Sequence, residues 1–105
     1  MVNRGNAVNE NRKQILEAGL RGEEISVKGI VIPGEADKHL KMVSIVLSTD
    51  QEVDFIIERD AKGYELFKHL RDSVKVKGFI QEDKPGKWII KITDYQVLNQ
   101  NANQG

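Results

Sequence analysis

A mainly β fold, a five-stranded barrel with one short helix between its third and fourth strands, is predicted by three observations. Five segments alternate apolar and polar residues with the two-residue period of a half-buried strand. The segment between the third and fourth of them switches to helical spacing, with apolar residues at Leu66, Phe67 and Leu70. Two of the strands, Ile25-Ser26-Val27-Lys28-Gly29 and Val74-Lys75-Val76-Lys77-Gly78, are near copies that both end in glycine.

Taken in order, residues 1–9 are polar and Asn-rich, with nothing to pack. Residues 10–20 form a helix whose narrow apolar side carries Ile15, Leu16, Ala18 and Leu20. Asn9 or Asn11 caps it and Gly22 stops it. Residues 1–22 are therefore an accessory arm, dispensable for the barrel. The first strand starts at Ile25 and continues through Ile30, Val31 and Ile32; the break in alternation at Gly29 predicts a bulge or a sharp coil there. Pro33-Gly34 opens a polar loop that runs to about Lys41.

Residues 42–49 make the second strand, with Val43, Ile45 and Leu47 inward, and residues 53–58 the third, with Val53, Phe55 and Ile57 inward. The polar link at 49–52 joins them as a hairpin. The helix at 62–70 starts from Asp60, whose carboxylate suits both the cap and the helix dipole. Phe67 and Leu70 are expected to pack under the barrel with Val27, Val76 and Ile92. Residues 74–80 form the fourth strand, 81–87 a hairpin loop around Pro85-Gly86, and 88–95 the fifth; Val97 and Leu98 end the ordered part. The barrel thus spans 23–98, and 99–105 is a polar, disordered tail.

Three strands, one helix and two strands is the plan of the OB-fold, a partly Greek-key barrel. A glycine in the first and fourth strands fits the places where such a wall coils tightly. The run from Gly63-Tyr64-Glu65-Leu66-Phe67 to Gly78, followed by Lys87-Trp88-Ile89-Ile90-Lys91-Ile92-Thr93-Asp94-Tyr95, resembles small bacterial stand-alone OB domains. These are similar to the anticodon-binding barrels of tRNA synthetases. The resemblance covers residues 24–98 and implies a fold more than a ligand. An SH3-like barrel or a split β-sandwich is the rival, and neither needs a helix in this place.

Composition excludes several kinds of chemistry. The 105 residues suit one domain and contain no cysteine, which removes disulfides, thiolate metal sites and cysteine nucleophiles. The two histidines, His39 in a polar loop and His69 on the helix, have no partner spacing for a metal site or a triad and are expected on the surface. No phosphate-loop or G-x-G-x-x-G string occurs. The expectation is a protein that is not an enzyme, with no cofactor and no metal. No apolar run has signal-peptide or membrane-span length, so a cytoplasmic protein with no membrane contact is expected.

What remains is binding. Lys plus Arg and Asp plus Glu both number 16, so attraction to phosphate must come from a local patch. OB barrels take single strands on the face of strands two and three, between the flanking loops. The outward set there, Met42, Ser44, Val46, Asp54, Ile56 and Glu58, has no aromatic and no base, and two acids. The loops are richer: Lys38, His39 and Lys41 lie in the first, and Lys84, Lys87 and Trp88 in or beside the second. Trp88 either stacks on a base or closes the barrel mouth. Lys28, Lys75, Lys77 and Lys91 share the outward parity of neighbouring strands, as solubilising edge lysines also do.

The expected function is a stand-alone OB module that binds single-stranded DNA or RNA weakly through those loops. The alternative is a protein-interaction or scaffold barrel with no nucleic-acid role. An oligosaccharide binder would need several exposed aromatics, whereas the three Phe, two Tyr and one Trp fall mostly at core-like positions.

Overall fold

A computed structural model describes residues 4–36, 38–39 and 44–99, and side chains within 12–98 of that range. In chain order it holds α1 (Arg4–Leu20), β1 (Ile25–Pro33), β2 (Ile45–Thr49), β3 (Asp54–Ile57), α2 (Ala61–Glu65), β4 (Ser73–Lys84) and β5 (Lys87–Asn99). A 3-10 turn, Leu66–His69, continues α2. The strands close into one barrel in the order β1-β2-β3-β5-β4. All pairs are antiparallel except β3 with β5, which run parallel over Phe55–Trp88, Ile56–Ile89 and Ile57–Ile90. This is the expected OB-fold barrel, with the helix between its third and fourth strands and a further helix at the N-terminal side. Among the described residues, no helix is long and apolar enough to cross a membrane.

Alternation builds the core. Ile25, Val27 and Val31 of β1, Ile45 and Leu47 of β2, Phe55 and Ile57 of β3, Val74, Val76 and Ile80 of β4 and Trp88, Ile90 and Ile92 of β5 all point inward and are buried. Burial of this apolar surface, worth roughly 25 cal/mol per Å², is what closes the sheet. Thr49 is the buried polar residue. Its hydroxyl donates to the Val53 carbonyl at 2.6 Å and accepts from the Gln51 N–H, locking the β2–β3 turn. The inward parity expected for the hairpin holds for every described residue; Met42 and Val43 lie outside the described residues.

Two strand details differ from expectation. β1 carries no bulge at Gly29: its register with β4 and β2 is continuous, and Ile25, Val27, Gly29 and Val31 share one parity. Gly29 is needed for close approach, because a Cβ there would collide with the Ser48 carbonyl. The register shifts fall instead in the β4–β5 ladder, at Ser73/Val74, Lys77/Gly78 and Glu82/Lys84; at the middle one Lys77 and Gly78 face Asp94 and Ile92 and leave Thr93 as the extra residue of β5. The Thr93 hydroxyl donates to the Glu24 carboxylate at 2.5 Å and lies 3.1 Å from the Lys77 carbonyl. The β4–β5 ribbon also extends beyond the expected strand ends, to a two-residue turn at Pro85-Gly86. Residues 81–84 are all exposed, so no apolar alternation marks them as strand.

The helices are placed by capping and plugging. The Asp60 carboxylate caps α2, accepting from the Gly63 N–H at 2.9 Å, and also takes the Lys91 ammonium at 2.7 Å. That bond, with the cap, holds the Asp60 carboxyl below its ordinary range. The Tyr95 hydroxyl donates to Glu65 at 2.8 Å and fastens the other side of α2 to β5. The plug is Leu66, which is fully buried, and not Phe67. Phe67 lies half-buried on the flank, its ring 5.2 Å from that of Tyr64 and under the Arg59 guanidinium. The 3-10 turn after Glu65 brings Leu66 to the inner side, one position before the residue that straight helical spacing selects.

α1 begins at Arg4, earlier than the expected start at residue 10. It ends as expected at Gly22, which has φ 83°. The Gly22 N–H bonds the Gly19 carbonyl and the Glu23 N–H the Ala18 carbonyl, the paired closing bonds of a Schellman motif. Ile15, Leu16 and Ala18 pack half-buried against the core, and Gly19 lies so close to Ile80 that any Cβ would overlap it.

Three outcomes follow from this packing. Leu66→Ala should cost about 2–5 kcal/mol in urea unfolding and more than Phe67→Ala; the reverse order would reassign the plug. Asp60→Asn keeps a capping oxygen but loses the Lys91 pair. Because the folded Asp60 pKa lies below its unfolded value, its contribution is complete above about pH 4 and is lost as pH falls through the folded pKa. The variant should therefore melt below wild type at pH 7, with the gap closing under acid. Removing the residues before Arg21 should leave a cooperative but lower-melting barrel, since only Ile80 and its neighbours lose cover.

Candidate nucleic-acid interface

The two loops expected to carry binding leave the barrel at opposite ends of the β2–β3 face. At one end, Pro33 pairs with Ile45 and the loop neck is closed by the Gly34 N–H to the Ser44 carbonyl and the Glu35 N–H to the Ser44 hydroxyl, both 2.9 Å. Lys38 and His39 are exposed in a turn beyond this neck, and Lys41 lies outside the described residues. At the other end, the β4–β5 turn is set by Gly86 at φ 81°, a left-handed value open to glycine, and by its N–H bond to Glu82 at 2.9 Å. Lys84 is exposed and Lys87 half-buried. The parallel register that aligns Phe55 with Trp88 puts Lys87 beside Asp54. The candidate lysines thus flank the face rather than form one cluster.

Trp88 takes the packing role of its two readings. It points inward at 7% exposure beside buried Phe55, so its ring is closed to a stacked base.

Between the loops lies an aliphatic row. Ile32, Val46, Ile56 and Ile89 face each other in direct register across β1, β2, β3 and β5, each half-buried by its neighbours. Val46 and Ile56 belong to the expected outward set; Ile32 and Ile89 were missed because only two strands were assigned to the face. Parity along β1 and β5 carries the signal for both. The acids are less opposed to phosphate than expected: Glu58 is bridged by Lys91 at 3.7 Å, and Asp54 stays exposed.

Of the four outward lysines, three stay together. Lys28 is directly opposite Lys75, and Lys77 is two residues further along β4 opposite Ser26. Lys91 is taken by Asp60 and Glu58, which hold its ammonium above the ordinary lysine range. The aromatics are less buried than expected. Phe55 and Trp88 are core, whereas Tyr64 and Phe79 are exposed and Phe67 and Tyr95 half-buried.

A groove of about 580 Å³ opens where β1 passes from β4 to β2, lined by Lys28, Ile30, Ser48, Asp50, Ser73 and Leu98. Its floor, Ile30, is in register with Ser48 on one side and Ser73 on the other. His69 is half-buried instead of lying on the surface, with Nδ1 3.1 Å from Asp72 and its ring 6.0 Å from that of Tyr95. Compared with protein-family models the chain matches none, and no curated protein matches it.

Proposed function

We propose that the barrel is a non-catalytic cytoplasmic module that binds single-stranded nucleic acid weakly, gripping it at the loops that flank the β2–β3 face. The observation that carries this reading is the placement of Lys38 at one end of the face and Lys84 and Lys87 at the other. None of the three makes an ion pair among the described residues. A strand laid across the face meets cations at both ends. The likeness to anticodon-binding-type barrels points the same way. Affinity is low because Trp88 is buried and the face between the loops offers aliphatic side chains, which shield bases from water but do not stack as aromatics do.

The aliphatic row favours a second reading. Four β-branched side chains in register across four strands suit an apolar protein partner as well as a nucleic acid. Anisotropy titration of labelled single-stranded DNA and RNA at two salt concentrations separates the two. Wild type should bind, with an affinity that falls with salt. Lys84→Glu with Lys87→Glu should lower the salt slope by about 1.4, at roughly 0.7 per phosphate contact. Absence of binding at low salt would discard the nucleic-acid reading and leave the interaction barrel.

A further inference from the structure

The solvent side of β4 carries a second row that the loop site does not use. Lys75, Lys77 and Phe79 alternate with the buried residues Val76 and Gly78 and so project outward in a line, spaced roughly 6–7 Å apart. Lys28 of β1 joins them directly opposite Lys75. Phe79 is 44% exposed, a large aromatic facing water on the outer wall of a closed barrel.

Ordinary explanations for this row are weak. Lysines blunt the free edges of sheets, but at Lys75 and Lys77 β4 is hydrogen-bonded to β1 on one side and to β5 on the other, so no edge exists. Like charges placed directly opposite one another across a strand pair cost stability, and Lys28 faces Lys75 in this way. None of the three lysines makes an ion pair among the described residues. Two acids lie beside the row, Asp94 as the register partner of Lys77 and Asp50, whose N–H bonds the Lys28 carbonyl at 3.2 Å; neither makes an ion pair with it among the described residues. A shallow depression of about 190 Å³ runs between Lys75, Lys77, Asp94 and Gln96. Phe79 faces Lys91, whose charge is already engaged by Asp60 and Glu58, so the ring is not covered by a cation.

We propose that this outer β4 wall is a second contact for a single nucleic-acid strand. Lys28, Lys75 and Lys77 take successive phosphates and Phe79 stacks a base. The lysine step along β4 is close to that between neighbouring phosphates of an extended strand, and cations in line with an aromatic platform are the two parts such binding requires. The inference rests on the nucleic-acid reading above, but it places the contact on a different wall of the barrel from the loops.

The test uses the full chain and a labelled oligothymidylate, read by anisotropy at two salt concentrations. Phe79→Ala should weaken binding about 5- to 100-fold, the value of one stacked base, and Phe79→Leu should weaken it too, since it keeps apolar surface without a π face. Lys28→Gln, Lys75→Gln and Lys77→Gln together should lower the salt slope by about 2. The melting temperature of that triple variant should be unchanged or raised, because the Lys28–Lys75 repulsion is gone. If wild type binds and these variants match it in affinity and slope, the β4 contact is wrong while the loop reading stands. If wild type does not bind at low salt, the underlying nucleic-acid reading fails. Displacement of the oligonucleotide by polyglutamate as readily as by unlabelled oligothymidylate would also overturn the proposal, since it would show a site for any polyanion.

Discussion

Closure of the barrel depends on how near two backbones can come at its corners. β1 pairs with β4 over residues 25–30 and with β2 over residues 29–33, so at Gly29 and Ile30 one strand serves two neighbours. The backbones come so close at this corner that the inner side of the wall has no room for a side chain. A Cβ at Gly29 would meet the Ser48 carbonyl, and one at Gly78 would meet the Lys91 carbonyl. The two near-identical segments therefore end in glycine for one reason, at two different corners. Were either corner held apart, the ladders through β1 and β4 could not both form, and the sheet would open and expose unpaired edges.

Once the wall is closed, parity does the rest. Each strand sends alternate residues inward, and the interior fills with aliphatic side chains around Phe55 and Trp88. The end of the cylinder under α2 still needs a stopper, and Leu66 supplies it. The polar bonds around α2, the ion pair from Asp60 to Lys91 and the hydrogen bond from Tyr95 to Glu65, lie near the surface, where solvent screening leaves such contacts little net worth. They orient the helix; the buried leucine holds it. The same division appears at α1, where a Schellman turn sets the direction of the chain and contact with Ile80 sets the docking.

Much of this was legible in the residues. Five alternating segments and one helical interruption were enough for the barrel and its order, and Asp60 and Gly22 marked their helix ends correctly. The misses have physical causes. A three-residue-per-turn helix displaces the buried position by one, so Leu66 was passed over for Phe67. A glycine that breaks apolar alternation looks alike in a bulge, in a sharp coil or beneath another backbone, and the continuous register at Gly29 excludes only the bulge. The helix start was missed because residues 4–9 carry no apolar stripe. For the candidate site, the exposure of Lys38 and Lys84 was legible; the expected loop around Pro85-Gly86 proved too long, since Lys84 and Lys87 are the end residues of β4 and β5 and Lys87 is half-buried. The join between strands was not: Ile32 with Val46, Ile56 with Ile89 and Lys28 with Lys75 become neighbours only through a register that no single segment encodes.

Register also bears on how a neutral chain meets the polyanionic ligand proposed for it. Attraction from the net charge of the chain is largely screened beyond about 8 Å at physiological salt, so the local arrangement of charges decides. In this barrel part of the acidic charge is spent at one place. Asp60 and Glu58 converge on Lys91 and neutralise it beside α2. On the β1–β4 wall, strand pairing instead sets Lys28 against Lys75, and neither makes an ion pair among the described residues. A repulsion of that kind is a standing cost to the folded state, and a bound phosphate removes it. A neutral total composed of one satisfied cluster and one row of lysines without ion pairs among the described residues is therefore compatible with the local, salt-sensitive binding proposed above.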